Sequence, residues 1–524
     1  MSRKLLKSTA WTSGMTLISR IAGLVRDMVF AGLIGAGAGV AADAFYVAFR
    51  IPNFLRRIFG EGAFSQAFVP VCGEYKTRTS LEETRTFLNH VLGYLSTVLL
   101  IVTIIGVLAA PVLVGMLAPG YLNEPQKYEL TVSMLRIVFP YLFFVSLVAM
   151  AAGVLNTYGR FGAAAFTPVL LNLCLIGAAL ILAPHMEEPV LALAWGVLIA
   201  GVVQLAFQIP FLRQLKLLPF PRLRWRQQHE GVVRVSKLML PAIFGVSIAQ
   251  INLLVNTLLA SFLITGSVSW LYYADRFMEF PLGVFGIALA TVILPGLARR
   301  FASQSHEDFS HLLDWGLRWV VITGVPASFA LILLAGPLLA TLFYRGAFNA
   351  HDVQMTAAAL IAFSSGLLGL MLIKVLAPGF YARQDTKTPM RIGVVTMGVN
   401  IIVSLALFYP FGHVGLASAI SVAAFVNAGL LFYRLRRDGI YRPATGWGLY
   451  VGRVLFASTV MGIVLYFGVG DLASWLDAQF YERLWRLVLW VGIGAIVYFV
   501  TALAVGLRPR ELLLTGAESA RHDD

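Results

Sequence analysis

Apolar runs of 20 or more residues recur along the whole of this 524-residue chain, separated by short stretches where Gly, Pro, Lys and Arg gather. A helix that crosses a bilayer needs about 20 such residues. The pattern predicts fourteen spans, at about 9–35, 41–71, 87–117, 128–156, 163–184, 190–214, 237–263, 269–298, 311–343, 353–381, 388–409, 413–436, 447–469 and 483–507. The expected fold class is an all-α polytopic membrane protein. With 59% hydrophobic and 13% charged residues, the composition excludes a soluble globule. Met1 to Lys7 is basic and leads into an apolar stretch, but Arg20 interrupts that stretch and no small-residue cleavage site follows. The segment reads as a retained first span.

Charge then sets an orientation. The amino-terminal tail and alternate connections hold most basic residues, including Arg3, Lys4, Lys7, Lys76, Arg78, Arg213, Lys216, Arg222, Arg299, Arg300, Arg383, Lys387, Arg434, Arg436 and Arg437. The other connections offer little beyond Lys127, Arg345 and Arg483. Cytoplasmic connections retain Lys and Arg, so both termini are expected in the cytoplasm. This asymmetry accounts for most of the net charge of +14, and no nucleic-acid partner is needed to explain it. The longest basic link, Arg213 to Lys237, reads as a topology signal lying on anionic headgroups.

Two short patterns recur. Tyr158-Gly159-Arg160 followed by Thr167-Pro168 returns as Tyr381-Ala382-Arg383 followed by Thr388-Pro389, and Arg50 with Pro70 returns as Arg276 with Pro295. The offsets, about 221 to 226 residues, predict two parallel six-helix repeats related by an axis near the membrane normal, with a substrate site between them. The expected organisation is an N-terminal lobe over 1–215, a basic linker over 216–236, a C-terminal lobe over 237–437, two additional helices within 438–510 and a cytoplasmic tail over 511–524.

Arginines stand inside the expected spans: Arg20, Arg26, Arg50, Arg56, Arg57 and Arg276. A guanidinium near mid-membrane is costly unless it faces water or a counter-charge, so such residues mark a functional pathway. Asp43, Arg50 and Arg57 are seven apart and share one stripe of the second span, subject to a kink at Pro52. In the first span Ser19 and Arg26 share a stripe, and Arg20, Gly23 and Asp27 share its neighbour. Asp275, Arg276 and Glu279 lie within one turn just before Pro281, with Glu279 spaced to pair with Arg276 and Glu61 with Arg57. Polar residues also glue transmembrane helices together, and for Arg56, Arg57 and Glu61 snorkelling competes with a functional role. The charges in the spans nevertheless have a positive excess, which an anionic ligand would neutralise. Arginine's planar fork suits phosphate or pyrophosphate.

Other chemistry is absent. No G-x-x-x-x-G-K-[ST] occurs, so P-loop nucleotide hydrolysis is not expected, and energy must come from an ion gradient, the membrane potential or the substrate gradient. Gly35-Ala36-Gly37-Ala38-Gly39 reads as a hinge rather than a phosphate loop. Cys72 and Cys174 match no redox or metal spacing, and the histidines are scattered. Catalytic residues, metal and cofactor are all expected to be none.

The segments Ser19-Arg20-Ile21-Ala22-Gly23-Leu24-Val25-Arg26-Asp27, Ala42-Asp43-Ala44-Phe45, Pro52-Asn53-Phe54-Leu55-Arg56-Arg57 and Glu61-Gly62-Ala63-Phe64-Ser65-Gln66-Ala67-Phe68-Val69-Pro70 resemble the MurJ/MviN lipid II flippases. So do Ser267-Val268-Ser269-Trp270-Leu271-Tyr272-Tyr273-Ala274-Asp275-Arg276 with Glu279, and Leu376-Ala377-Pro378-Gly379-Phe380-Tyr381. The resemblance covers about residues 1 to 510. It implies the fold of the multidrug/oligosaccharidyl-lipid/polysaccharide exporters: two pseudo-symmetric six-helix lobes in a V around a central cationic cavity, plus two additional C-terminal helices that form a groove for a lipid tail. It also implies that Arg20, Arg26, Arg56 and Arg276, with Asp43, Ser269, Asp275 and Glu279, bind the headgroup of lipid II. Arg50, Asn53, Arg57 and Glu61 are further candidates. The implied activity is movement of lipid II from the cytoplasmic to the periplasmic leaflet of the bacterial inner membrane by alternating access. Membrane lipids and other cell-wall synthesis proteins are the implied partners. The rival readings are a flippase for another polyprenyl-linked glycan, a multidrug cation antiporter of the same fold, and a non-transporting scaffold. An antiporter would want cavity carboxylates rather than an arginine excess.

Overall fold

A computed structural model describes residues 3–37, 39–57, 63–223 and 229–507, with backbone alone at 3–13, 16, 244–249, 287, 288 and 291. Among the described residues the chain is helical throughout, and its one extended pairing is a bridge between Arg345 and Phe348. Contacts divide it into two compact units, Met1–Ser269 with Arg345–Phe348, and Trp270–Tyr344 with Asn349–Asp524.

The first unit is built from α1 (Arg3–Ile34), α2 (Ala41–Leu55), α3 (Ala63–Arg78), α4 (Leu81–Leu108), α5 (Ala110–Leu117), α6 (Pro125–Val138), α7 (Tyr141–Thr157), α8 (Phe161–Gly177), α9 (Leu191–Gln214), α10 (Glu230–Ala260) and the first residues of α11 (Ser267–Pro281). Helix α1 packs on α8, α2 on α6, α3 on α7 and α10, and α9 on α7 and α8. Within the expected second span, 41–71, the structure describes two helical stretches, α2, which carries Pro52 in its last turn, and α3 from Ala63 on. Helix α4 begins in a capping box, with Ser80 Oγ accepting from Glu83 N at 3.2 Å and Glu83 Oε2 accepting from Ser80 N at 3.1 Å. Its Asn89 pins the basic link, since Phe220 N donates to Asn89 Oδ1 at 2.7 Å and Arg222 N to Asn89 O at 3.1 Å. Phe64, Phe68, Phe87, Leu88, Leu155 and Val232 form the core joining α3, α4, α7 and α10. Gly35, at φ 63°, turns the chain out of α1, and Ala347 N donates to Gly32 O at 3.0 Å beside it. That contact explains why four residues from the second half of the chain belong to this unit.

The second unit continues α11 to Pro281 and adds α12 (Ile287–Ala302), α13 (His306–Leu333), α14 (Ala335–Leu342), α15 (Ala350–Ser365), α16 (Leu367–Tyr381), α17 (Lys387–Arg437), α18 (Trp447–Val469), α19 (Leu472–Leu476) and α20 (Phe480–Ala504). The expected eighth span is likewise interrupted, by a turn of wider winding at Leu282–Gly286 directly after Pro281. The long α17 breaks at Gly412, whose φ 56° and ψ −133° only glycine adopts readily, and this separates the expected eleventh and twelfth spans. The last long helices dock through polar anchors. Asp314 of α13 accepts from Tyr441 Oη at 2.8 Å, Ala444 N at 3.1 Å, Trp447 Nε1 at 2.6 Å and Arg318 Nε at 2.9 Å. Tyr498 Oη of α20 donates to Ile322 O at 2.7 Å, and Arg483 Nη1 to Ala340 O at 2.7 Å. Burial and the Asp314 carboxylate push the Tyr441 phenol far above its usual range, so it stays a donor.

Nine helical stretches among the described residues are long and apolar enough to cross a membrane. The expected first, second, seventh and eighth spans are not among them. Every candidate site residue falls on three of these four, the first, second and eighth.

Candidate functional site

In the first unit the centre of the polar chemistry is Asp43, in the first turn of α2 and 1% exposed. Its Oδ2 accepts from Gly266 N at 2.8 Å, and its Oδ1 accepts from Ser269 N at 2.9 Å and Ser269 Oγ at 2.6 Å. The two amides are opening backbone groups of α11, which the helix itself supplies with no acceptor. Asp43 therefore caps a helix remote in sequence, and its charge meets the positive end of that helix's dipole, a contribution of about 0.3–2 kcal/mol. Its counter-ion is Lys127 at the start of α6, with Nζ 3.3 Å from Oδ2 and both side chains 1% exposed. Lys127 Nζ also donates to Thr265 Oγ1 at 3.2 Å and stands 4.3 Å from the centre of the Tyr121 ring.

Asp43 and Ser269, both expected among the headgroup ligands, thus face each other and offer no surface to a ligand in this conformation. In the sequence Lys127 reads only as one of the few charges in the outer connections, not as a site residue. Its spacing of three from Glu124, with which it pairs at 3.7 Å, was the one available signal.

The arginines fall into distinct settings. Arg26 is buried, its Nε and Nη2 donating to Asp27 Oδ1 at 3.0 and 2.7 Å and its Nη1 to Asn172 Oδ1 at 3.1 Å. Asn172 in turn donates to Ser19 O at 3.1 Å, which locks α8 to α1. A lone asparagine in the apolar fifth span is the signal that foretells such a contact. Arg20, on the same helix, is exposed. Arg50 Nη1 donates to Thr257 Oγ1 of α10. Arg56 donates through Nε and Nη2 to Asn53 Oδ1 at 3.0 and 2.7 Å, and Arg57 is half-buried. Glu61 lies outside the described residues, and with it the expected pairing to Arg57.

In the second unit Arg276 makes the expected contact with Glu279, Nη1 to Oε2 at 3.3 Å, and its Nη2 donates to Tyr272 Oη at 2.8 Å. Its guanidinium carbon lies 5.0 Å from the Tyr272 ring centre, and its side chain is 38% exposed. Asp275 is half-buried one residue before it. Trp270 Nε1 donates to Asp352 Oδ1 at 2.9 Å, which fixes this helix's rotation against α15. No group of three or more metal-ligating side chains occurs among the described residues.

Nine helical stretches of membrane-crossing length among the described residues, with arginines on α1, α2 and α11 and a buried carboxylate capping α11, define a polytopic membrane protein. A family model described as "Lipid II flippase MurJ" matches residues 31–484. A probable lipid II flippase MurJ of Haemophilus influenzae is 47% identical over 512 residues, covering 95% of this chain and 99% of the relative. One from Vibrio cholerae is 46% identical over 519 residues, covering 98% of each. Among solved structures, a lipid II flippase MurJ in an inward closed conformation matches with a TM-score of 0.79 at 26% identity, over 94% of this chain and 97% of that one. An inward-facing multidrug resistance transporter of the MATE family matches with a TM-score of 0.65 at 14% identity, over 82% of this chain and 98% of that one, a likeness of fold alone. The chain belongs to the MurJ lipid II flippase family.

Proposed function

We infer that this protein is a lipid II flippase: it carries the undecaprenyl-pyrophosphate-linked disaccharide-pentapeptide from the cytoplasmic to the periplasmic leaflet of the bacterial inner membrane, by alternating access, for cell-wall synthesis. The observation that carries the reading is Arg276, a partly exposed guanidinium held by Tyr272 and Glu279 on an interrupted helix, in a chain that spans nearly the full length of its flippase relatives. Arg20, Arg56 and Arg276 hold the pyrophosphate. Arg26 contributes when phosphate oxygens displace Asp27 from it. Asp275 and Glu279 orient Arg276, while Asp43 and Ser269 set the pose of its helix. The polyprenyl tail stays in lipid or against α18 and α20. The protein moves its substrate without breaking a bond, so no catalytic group, metal or cofactor is called for. Both termini lie in the cytoplasm, as the distribution of Lys and Arg supports.

The test is the sidedness of lipid II in cells depleted of the protein, read with an externally added enzyme that cleaves only outward-facing lipid II. Protection on depletion, reversed by wild type but not by Arg276→Ala, supports the reading. Continued cleavage in cells confirmed to lack the protein overturns it and moves weight to another lipid-linked substrate or to a scaffold role.

A further inference from the structure

We propose that the seam between α4 and α10 is a binding site for a zwitterionic phospholipid bearing a primary amine, separate from the arginines assigned to lipid II. Two cavities succeed one another along these helices. The first, of about 720 Å³, is polar and lies at their N-terminal ends, lined by Glu74, Arg78, Glu82, His229, Glu230 and Arg234 among others. The second, of about 480 Å³, is apolar and begins a turn further on, lined on α4 by Val91, Tyr94, Leu95, Val98, Leu99 and Val102. Those six fall on a single helix face, at spacings of three and four. From Val91 to Val102 the helix rises about 17 Å, close to the hydrocarbon depth of one leaflet, half of about 30 Å.

The charges are ordered as in such a lipid. In the polar cavity Glu74 is engaged by both arginines, Arg78 at 3.1 Å and Arg234 at 2.7 Å. Glu83 is engaged by the cap of α4. Glu82 and Glu230 make no hydrogen bond or ion pair among the described residues, so two carboxylates remain for a cation. One turn along α10 from Glu230 comes Arg234, and three residues later Lys237, on the rim of the apolar groove. Along α10, Glu230 is followed by Arg234, which is held by Glu74, and then by Lys237, with Val232, Val233 and Val235 between them on the wall of the apolar groove and Met239 and Leu240 beyond. A lipid laid along this seam sets its ammonium at Glu230, its phosphate at Lys237 and its acyl chains along the valines and Met239. A primary ammonium donates charge-assisted hydrogen bonds to carboxylates, and a quaternary one has no proton to donate. Phosphatidylethanolamine fits, phosphatidylcholine fits less well, and an anionic lipid lacks the group that Glu82 and Glu230 await.

The full-length protein, delipidated in detergent, is titrated with phosphatidylethanolamine, phosphatidylcholine and phosphatidylglycerol of identical chains, and bound lipid is counted by native mass spectrometry. The expected result is one tightly retained lipid, with phosphatidylethanolamine preferred about tenfold over the others. Glu82→Gln with Glu230→Gln should abolish the preference, and Val98→Trp, which fills the groove, should abolish retention of that lipid. Equal retention of the three lipids by wild type overturns the proposal, as does an undiminished preference in the double glutamine variant. A preference for phosphatidylglycerol overturns it in favour of an anionic-lipid site. Thermal unfolding of each variant checks folding, and the wild-type comparison of lipids decides the matter even where a variant is unstable.

Discussion

Lys127 Nζ lies 3.3 Å from Asp43 Oδ2, and neither side chain is more than 1% exposed. Removing one member of a buried pair strands the other's charge, at a cost of about 3–5 kcal/mol. Lys127→Met should therefore lower the thermal midpoint of the purified protein sharply. Adding Asp43→Asn to it should recover part of the loss, so a double-mutant cycle should return a coupling well above that of an exposed pair. Additive effects would mean that the two residues do not act as a pair.

Arg276 is gripped on two sides, by Glu279 at 3.3 Å and Tyr272 at 2.8 Å. Lysine keeps the charge but cannot make both contacts in the plane of a fork. Arg276→Ala should abolish outward appearance of lipid II, and Arg276→Lys should reduce it about tenfold, equivalent to about 1.4 kcal/mol. Full activity in the lysine variant would reduce the role of this residue to bare charge.

His229 caps α10, its Nδ1 accepting from Gly231 N at 3.2 Å. That bond requires the neutral ring, and burial together with neighbouring His90 lowers the pKa of His229 below its usual value. The unfolded chain takes up a proton near pH 6.5 while the folded one resists it. The cap's stabilisation is therefore complete above about pH 6.5 and declines as the pH falls toward the depressed pKa. Midpoints measured between pH 7.5 and 5.5 should fall more steeply for wild type than for His229→Asn, which caps without titrating. Parallel curves would remove His229 from the account.

Gly412 interrupts α17 with φ 56° and ψ −133°, and a Cβ built there would touch nothing within 4 Å. Gly412→Ala therefore isolates backbone strain from packing. A loss of about 1–3 kcal/mol is expected in unfolding measurements, and an unchanged midpoint would mean that the break relaxes freely.

Much of the fold is legible from apolar run length. The thirteenth expected span, 447–469, coincides with α18, because Gly446 and Gly470 bound a stretch whose one charge is Arg453. Interruptions are less legible. Pro281 is visible in sequence, but the wide turn at Leu282–Gly286 after it depends on packing against α16. Local pairs such as Arg276 with Glu279 follow from helical spacing. The partnership of Asp43 with Ser269, across 226 residues, does not, since each looked like a ligand for something else. Lys127 reads in sequence as a charge of an outer connection, because the Lys and Arg distribution that orients the chain asks nothing more of it.

The cap on α11 has a consequence for how the protein is made. Asp43 and Lys127 both leave the ribosome well before Gly266 and Ser269, and chains fold from the N-terminal end as they emerge. From the moment Lys127 is made, it is the cation paired with this carboxylate, so the charge is compensated before α11 is complete. When α11 arrives, it finds its acceptor already in place.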